Sequence, residues 1–182
     1  GRTGYTGEDG FELFVPAGKA REMWQLLLKA GGTDLTPCGL ACRDTLRLEA
    51  GMPLYGQELD RDHNPYEAGF GKVVRLDRDT DFVGKAALAA IAAAPIKRKL
   101  VGLQGDGRRA ARHGYTLHEA GQEVAIGEVT SGALSPTLGY PIAMAYVSTS
   151  ANIEPGAVIE ADVRGSRQEL TIVATPFYKR KK

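Results

Sequence analysis

The spacing of hydrophobic and polar residues changes near residue 95 and divides the chain into two parts. Before that point apolar residues recur at three- and four-residue steps, which predicts helices. The first helix is predicted over residues 17–30, and Gly31 and Gly32 end it. Because Trp24 lies in its apolar stripe, we expect this side chain in the core and not in a ligand site. The stripe consists of Ala20, Met23, Trp24, Leu27 and Leu28.

Two more helices and two strands complete the first part. One helix is predicted from Thr36 to Ala50, with Thr36 as the N-cap and a proline in the first turn. Another is predicted over residues 84–94, where Pro95 breaks it. Strands are expected over residues 10–15 and 72–76.

Beyond residue 95 the sequence has many short strand-like segments and no helix between them. Such a series predicts a small antiparallel barrel or sandwich. The chain is therefore expected to contain two domains, residues 1–95 and 96–182. The predicted strands of the second domain are residues 98–104, 115–118, 123–130, 141–147, 157–164 and 168–174.

Charge and cysteine content exclude several classes of function. With 23 basic and 22 acidic residues the net charge is +1, and nothing favours nucleic acid as a partner. No apolar run approaches the roughly 20 residues of a membrane span, so no membrane partner is expected. Two cysteines without further ligands nearby make a poor zinc site, and the three histidines show no metal spacing. We therefore expect no metal and a reducing compartment.

The first dozen residues contain a glycine-rich turn with three carboxylates, Glu8, Asp9 and Glu12. Glycines let backbone approach a ligand closely, but the acids and the following strand argue against a phosphate site. Carboxylates there suit a ligand that donates hydrogen bonds, such as an amidine-like ring edge. The alternative is an ordinary hairpin turn, with Glu12 on a solvated strand face.

Arg43 and Arg47 lie four residues apart and share one face of the second predicted helix. They could form salt bridges with Asp44 or Glu49. Alternatively, Arg43 could point inward to a ligand that carries carboxylates, for which a guanidinium is well shaped. The residues alone leave both alternatives open.

Several blocks of the sequence resemble the glycine cleavage system T-protein, the tetrahydrofolate-dependent aminomethyltransferase. They occur in family order and cover nearly the whole chain. The first block lies near the middle of family members, so this chain resembles their C-terminal portion. The missing upstream half would carry the aspartate of the reaction centre. The blocks are residues 2–12, 39–56, 64–70, 82–88, 127–132 with 135–136, and 176–178.

The resemblance implies an α+β fold, a truncated antiparallel-sheet folate-binding domain followed by a small antiparallel β-barrel. It implies tetrahydrofolate as the acceptor and lipoylated H-protein as the donor of the aminomethyl group, with 5,10-methylenetetrahydrofolate and ammonia as products. Glu12 would bind the pterin edge and Arg43 the aminobenzoyl-glutamate portion. Tyr5 would line the pocket, Tyr178 would close it, and Arg112 in a basic loop is a further candidate.

The same resemblance implies no catalytic side chain within this chain, and hence no turnover by it alone. The expected location is the bacterial cytoplasm, or the mitochondrial matrix in a eukaryote. Three alternatives remain. A folate-binding paralogue of iron–sulfur assembly or RNA modification would carry Lys-Gly-Cys-Tyr-x-Gly-Gln-Glu, which is absent here. Demethylating oxidase subunits carry similar domains fused to flavin-binding ones; no dinucleotide fingerprint occurs in these 182 residues, although an upstream part could contain one. The third alternative is a structural or interaction domain without catalysis.

Overall fold

The computed structural model describes residues 1–180, which form three α-helices followed by six β-strands. Short 3₁₀ turns occur at Ala17–Lys19, Gly32–Asp34 and Gly71–Val73. The α+β fold class is confirmed. The elements are α1 Ala20–Gly31, α2 Leu40–Glu49, α3 Lys85–Ala93, β1 Arg98–Gly105, β2 Thr116–His118, β3 Ala125–Leu134, β4 Pro141–Ser148, β5 Val158–Val163 and β6 Ser166–Val173.

The six strands form a closed barrel in the order β1-β4-β3-β2-β5-β6, with every neighbouring pair antiparallel. Pairing of β1 with both β4 and β6 closes the ring, for example Leu100 opposite Tyr146 and Gly102 opposite Val173. The predicted strands match the observed ones within a few residues. Of the two predicted alternatives, barrel and sandwich, the structure has the barrel.

The interior of the barrel is filled by alternating residues of all six strands, as the two-residue period of a strand requires. In β5, for example, Ile159, Ala161 and Val163 are buried while the residues between them are more exposed. The main core cluster draws on the barrel strands and the loops between them. Its residues with no more than 2% exposure include Leu103, Leu117, Val129, Ile159 and Ile172.

The last residues of helix α2 pack against the outside of the barrel. Leu48 is fully buried and packs with Ile142 and Met144 of β4. The neighbouring Glu49 accepts hydrogen bonds from the hydroxyls of Ser135 and Thr137. Because both side chains are buried at this junction, the orientation of α2 relative to the barrel is fixed.

The expectation that Trp24 is a core residue is wrong within the described part of the chain. Helix α1 forms over the predicted range, but none of its residues is buried among residues 1–180. Trp24 is 54% exposed, because no described residue packs over the apolar stripe. The periodicity predicted the helix correctly but could not supply its partner.

Neither strand predicted before residue 95 is present. Over residues 10–15 the chain is extended, and Glu12 exchanges two backbone hydrogen bonds with Gly1, of 2.9 and 2.8 Å. A strand needs a partner strand, and Phe11 and Phe14 are 71% and 85% exposed. Near Lys72 the chain forms the 3₁₀ turn instead.

The second helix begins later than predicted. Gly39, in extended conformation, is the N-cap of α2, so Thr36 and Pro37 precede the helix. The cap-and-proline pattern that predicted the start is equally compatible with a turn before a helix.

Residues 1–97 contain helices and loops, and their one β-bridge is the isolated pair Tyr55 and Leu59. The domain boundary near residue 95 remains a prediction. No helix among residues 1–180 has the combination of length and hydrophobicity that crossing a bilayer would take.

Candidate functional site

A cavity of about 490 Å³ lies between α2 and strand β3 of the barrel. Its size falls in the range of pockets for small organic molecules, roughly 300–1,000 Å³. Arginine is the most frequent residue in its wall. The lining residues are Tyr5, Leu40, Arg43, Asp44, Arg47, Leu54, Gln57, Arg112, His113, Thr130, Ser131 and Gly132.

Arg47 forms hydrogen bonds with three parts of the chain around the cavity: helix α2, the loop after it, and strand β3. It is 1% exposed, and its Nε donates to Asp44 Oδ1 at 2.8 Å. Nη1 donates to Glu58 Oε2 at 3.0 Å and to the carbonyl oxygen of Met52 at 3.2 Å, and Nη2 donates to Ser131 Oγ at 2.8 Å. The buried charge is thus compensated on several sides. The salt bridge to Asp44 proposed from the sequence is confirmed for Arg47.

The loop after α2 presents buried acceptors to this region. Glu58 is fully buried, and its Oε2 also accepts from the backbone N–H of Leu54 at 2.8 Å. Its Oε1, like Gln57 Oε1, has no hydrogen-bond partner among the described residues. An unpaired buried acceptor costs about 1–3 kcal/mol. Gln57 lines the cavity and is therefore suited to accept a hydrogen bond from a ligand.

Arg43 lies over the ring of Tyr5, with its Cζ 5.0 Å from the ring centroid. This is a cation–π distance. The hydroxyl of Tyr5 donates to the carbonyl oxygens of Met52 and Pro53. Burial raises the pKa of Tyr5. Arg43 forms no ion pair within residues 1–180, so its guanidinium is available to a ligand.

Arg112 reaches the cavity from the barrel side. Its Nη1 donates to the carbonyl oxygen of Gly132 at 2.9 Å, and the side chain is otherwise exposed. A Cβ on Gly132 would lie 1.9 Å from the carbonyl oxygen of Ala111, so this loop packs directly on the backbone of β3. His113 Nδ1 lies 3.1 Å from the carbonyl oxygen of Thr130.

The structure brings three of the five sequence-predicted site residues together and leaves two elsewhere. Tyr5, Arg43 and Arg112 line one cavity. Glu12 is exposed and accepts a hydrogen bond from the hydroxyl of Thr3. Tyr178 is half-buried, and its backbone N–H donates to the carbonyl oxygen of Glu49 at 2.9 Å. The roles of all five in binding remain predictions.

A second cavity of about 850 Å³ adjoins the first and shares Gln57, His113 and Thr130 with it. In its wall the rings of His63 and Tyr146 stack at 4.2 Å. Burial raises the pKa of Tyr146 to about 12.

Beside this stack, His63 Nδ1 lies 2.7 Å from Asp60 Oδ1. The hydrogen bond with His63 lowers the pKa of Asp60. The guanidinium of Arg98 lies over the other aromatic ring of the pair, that of Tyr146, at 5.4 Å.

Sequence reasoning missed Gln57, His113 and Ser131 as cavity residues. Ser131 lies in the family-like segment 127–132, but it is 84 positions from Arg47 in the sequence, and no local pattern predicts their contact. Within residues 1–180 no group of three or more His, Cys, Asp or Glu side chains is arranged to hold a metal ion.

The site and fold together define a class of protein in which a helix-and-loop region and a closed barrel share an arginine-lined cavity. Two family models match the chain in that same order. Residues 1–78 match the GCVT N-terminal domain, and residues 98–179 match the glycine cleavage T-protein C-terminal barrel domain. The chain belongs to the glycine cleavage T-protein family, which confirms the resemblance read from the sequence.

Bacterial relatives agree with this assignment. The chain is 58% identical to an aminomethyltransferase of Saccharopolyspora erythraea over 180 residues, which cover 98% of this chain and 48% of the relative. It is 49% identical to an aminomethyltransferase of Nostoc sp. over 178 residues, or 98% of this chain and 46% of the relative. The chain thus spans about half the length of these relatives.

A solved structure has the same fold. The glycine cleavage system aminomethyltransferase T from Bartonella henselae superposes with a TM-score of 0.87 and 36% sequence identity. The match covers 98% of this chain and 49% of that one.

Proposed function

We propose that this chain provides the tetrahydrofolate-binding cavity of an aminomethyltransferase of the glycine cleavage system. The enzyme takes the aminomethyl group from the lipoyl arm of H-protein and transfers it to tetrahydrofolate. The products are 5,10-methylenetetrahydrofolate, ammonia and dihydrolipoyl H-protein. Family membership supports the reaction, and the cavity that joins Tyr5, Arg43 and Arg112 is the observation that carries the folate assignment.

The chemistry of the cavity suits a folate. A reduced folate has a polar ring system at one end and carboxylates at the other. The guanidinium of Arg43 is free of ion pairs with described residues, and Arg112 is engaged through one nitrogen with Gly132. Guanidinium groups bind carboxylates through paired hydrogen bonds. Arg43 and Arg112 would therefore hold the glutamate end of the folate.

The pterin end is assigned to the carboxylate of Glu12. Glu12 lies outside the cavity but on the same glycine-rich segment as Tyr5, which lines it. In this proposal the folate extends from the cavity along that segment, and Glu12 accepts hydrogen bonds from the pterin edge. Tyr178 would then close over the bound ligand.

The reaction requires positioning more than covalent work by the protein. Holding N5 of the reduced pterin against the one-carbon unit makes the transfer effectively intramolecular. The contribution of this chain is to orient the folate. The family's acidic reaction centre is expected upstream of residue 1, and we place the complete enzyme in the bacterial cytoplasm.

The folate assignment is tested by calorimetric titration of tetrahydrofolate into the full-length polypeptide that carries this sequence. Arg43→Ala and Glu12→Ala are each expected to weaken binding by about 1.5–3 kcal/mol, the value of a hydrogen bond to a charged group. Arg75→Ala is the matched control, because Arg75 is an exposed arginine paired with Asp77. Unchanged affinity in both site variants would contradict the assignment.

A non-catalytic binding module is the second candidate, because the chain spans about half the length of its relatives. Residues 1–182 can be assayed for methylenetetrahydrofolate formation with aminomethyl-loaded H-protein, beside the full-length polypeptide. We expect turnover only in the longer protein. Turnover by residues 1–182 would show that the reaction needs nothing upstream.

A further inference from the structure

Tyr5 and Arg43 meet at one wall of the first cavity, although they belong to different parts of the chain. Tyr5 lies in the glycine-rich segment, residues 1–12, and Arg43 lies in α2. The Cζ of Arg43 is 5.0 Å from the centroid of the Tyr5 ring. Both side chains line the cavity of about 490 Å³. The fold therefore places an aromatic face against a guanidinium that a ligand in the cavity can reach.

The ring of Tyr5 is held by the loop that follows α2. Its hydroxyl donates to the carbonyl oxygen of Met52 at 3.4 Å and to that of Pro53. The carbonyl oxygen of Met52 also accepts a hydrogen bond from Nη1 of the buried Arg47, at 3.2 Å. The ring is thus bonded to the same loop as the buried arginine, and its position does not depend on a ligand.

Gly7 lets the glycine-rich segment approach α2 closely enough to bring the ring there. Its φ is +73°, and an added Cβ would lie 2.6 Å from the Cβ of Ala50, the C-cap residue of α2. The left-handed backbone and the close contact both favour glycine. The sequence indicated that these glycines bring backbone close to a ligand, but at Gly7 the close neighbour is the end of α2.

A contact between an aromatic face and a guanidinium leaves the edge of the guanidinium free. The N–H groups of arginine point outward in its plane, and a carboxylate binds to that edge. Over the described range 1–180, Arg43 has no salt bridge to an acidic side chain. The same guanidinium can therefore stack on Tyr5 and bind a carboxylate of a ligand.

We propose that Tyr5 is a positioning residue that acts on the ligand through Arg43, by holding the guanidinium where it binds the carboxylates of the ligand. The identity of that ligand, a reduced folate, rests on the proposed function. The inference adds the residue that prepares its carboxylate site. It differs from a pocket-lining role, because Tyr5 need not touch the ligand.

The physical effect of Tyr5 is to order Arg43 before the ligand arrives. A long arginine side chain without a neighbour occupies several rotamers, and ordering it opposes binding. A side chain that is already ordered reduces this cost. Removal of the ring should therefore weaken the binding of a ligand with carboxylates and spare a ligand without them. Loss of a pocket-lining or purely structural residue would weaken both ligands.

The test is calorimetric titration of the full-length polypeptide with two ligands, tetrahydrofolate and its glutamate dimethyl ester, which lacks the carboxylate charges. Tyr5→Leu is expected to weaken the binding of tetrahydrofolate about tenfold, as for a partly buried cation–π contact, and that of the ester by less than about twofold. Tyr5→Trp keeps an aromatic face and should restore most of the affinity for tetrahydrofolate. Equal weakening of both ligands by Tyr5→Leu would overturn the proposal.

Tyr55→Leu is the matched control, because Tyr55 is 72% exposed and lines neither of the two cavities. It should leave the affinity for both ligands unchanged. If Tyr55→Leu causes the same selective loss as Tyr5→Leu, the loss does not come from the contact with Arg43 and the proposal is wrong.

A double-mutant cycle tests whether Tyr5 acts through Arg43. In an Arg43→Ala background, Tyr5→Leu should change the affinity for tetrahydrofolate by less than about twofold, because the group that Tyr5 positions is absent. A loss as large as in the unchanged background would mean that Tyr5 acts on the ligand by another route.

The placement of Arg43 can also be measured without a ligand. The ring current of Tyr5 shifts the NMR resonance of the Arg43 Nε–H, which is identified by its absence from the Arg43→Lys variant. Tyr5→Leu should move this resonance toward its position in an unfolded chain, and an unmoved resonance would overturn the proposal. If the resonance moves while Arg43→Ala leaves tetrahydrofolate binding unchanged, the folate assignment is contradicted and the positioning of Arg43 by Tyr5 is supported.

Discussion

Arg47 is the residue on which the site most depends for its stability. Its guanidinium is buried and compensates the fully buried carboxylate of Glu58. Removing one partner of a buried pair leaves an uncompensated charge, which costs about 3–5 kcal/mol. We expect Arg47→Met to lower the free energy of unfolding by this amount, measured by urea titration.

The exposed pair of Arg75 and Asp77 provides the control for that measurement. Arg75→Ala should change the free energy of unfolding by no more than about 1 kcal/mol. Changing Arg47 and Glu58 together to apolar residues should cost less than the sum of the single changes, because no unpaired charge remains. A single Arg47→Met variant as stable as the Arg75→Ala variant would contradict the buried-pair argument.

The carboxylate of Asp60 should make the stability depend on pH in the acid range. Its pKa is lowered by hydrogen bonds from His63 and from the backbone N–H of Asp62. A group with a lowered folded-state pKa stabilises the protein above its ordinary value, about 3.9, and this stabilisation is lost as pH falls through the lowered pKa. Asp60→Asn should therefore lower the melting temperature at pH 6, and the difference should be smaller at pH 3, below the ordinary pKa of the group.

Asp79 is a suitable control for Asp60, because it is an exposed carboxylate without an ion pair to any described residue. Asp79→Asn should leave the melting temperature nearly unchanged at both pH values. A difference between Asp60→Asn and the unchanged protein that persists undiminished at pH 3 would show that the effect is not electrostatic.

At this scale the sequence could predict which residues share a face but not which one is buried. The four-residue spacing placed Arg43 and Arg47 together on α2. Their different environments come from distant residues, with Glu58 and Ser131 enclosing Arg47 while Arg43 reaches the ring of Tyr5. Such contacts depend on tertiary packing, which local periodicity does not record.

Among the elements, β3 carries the closest backbone contact at the site. Gly132 lies so near the carbonyl oxygen of Ala111 that an added Cβ would be 1.9 Å from it. Gly132→Ala must displace the loop that holds Arg112, and overpacking of this kind costs about 1–3 kcal/mol. We expect that loss in chemical denaturation, together with weaker folate binding in the full-length polypeptide.

Gly18→Ala is the matched control for Gly132→Ala. No atom lies within 4 Å of the Cβ position at Gly18, and its backbone conformation accepts other residues. Its stability should stay within about 0.5 kcal/mol of the unchanged protein, as for ordinary surface substitutions. If Gly132→Ala and Gly18→Ala change the stability by the same amount, the close approach of the loop to β3 does not destabilise the Gly132→Ala variant.

The elements that the sequence predicted correctly are those whose backbone hydrogen-bond partners lie in the same element or in another element of the chain. The barrel strands alternate with period two and all find partners in residues 98–173. Residues 10–15 have the same strand-like composition but no neighbouring strand among the described residues, so they remain extended without a ladder. Composition predicts the preference of a segment, whereas pairing decides whether a strand forms.

For the whole molecule, the boundary near residue 95 predicts that the barrel folds alone. Its main core cluster consists entirely of residues between Val101 and Ile172. Residues 96–180 produced separately should therefore show a cooperative urea transition and a β-rich circular dichroism spectrum. Absence of a cooperative transition would mean that the first part is needed to complete the barrel.

Separation from the first part should still weaken the barrel. Leu48 of α2 covers Ile142 and Met144, and its removal exposes them. Leu48→Ala in the whole chain should lower the free energy of unfolding by about 2–5 kcal/mol. This loss is the reference for the stability that contact with α2 gives the barrel.

Closure of the barrel restricts how any protein can bind to that part of the chain. Since β1 is paired with β4 on one side and β6 on the other, the ring leaves no free edge along which a partner could add a strand. A partner therefore cannot bind this domain by β-augmentation, that is, by adding a strand to its sheet. A protein that binds the barrel must be recognised through side chains and loops, where single substitutions can alter specificity without disturbing the sheet.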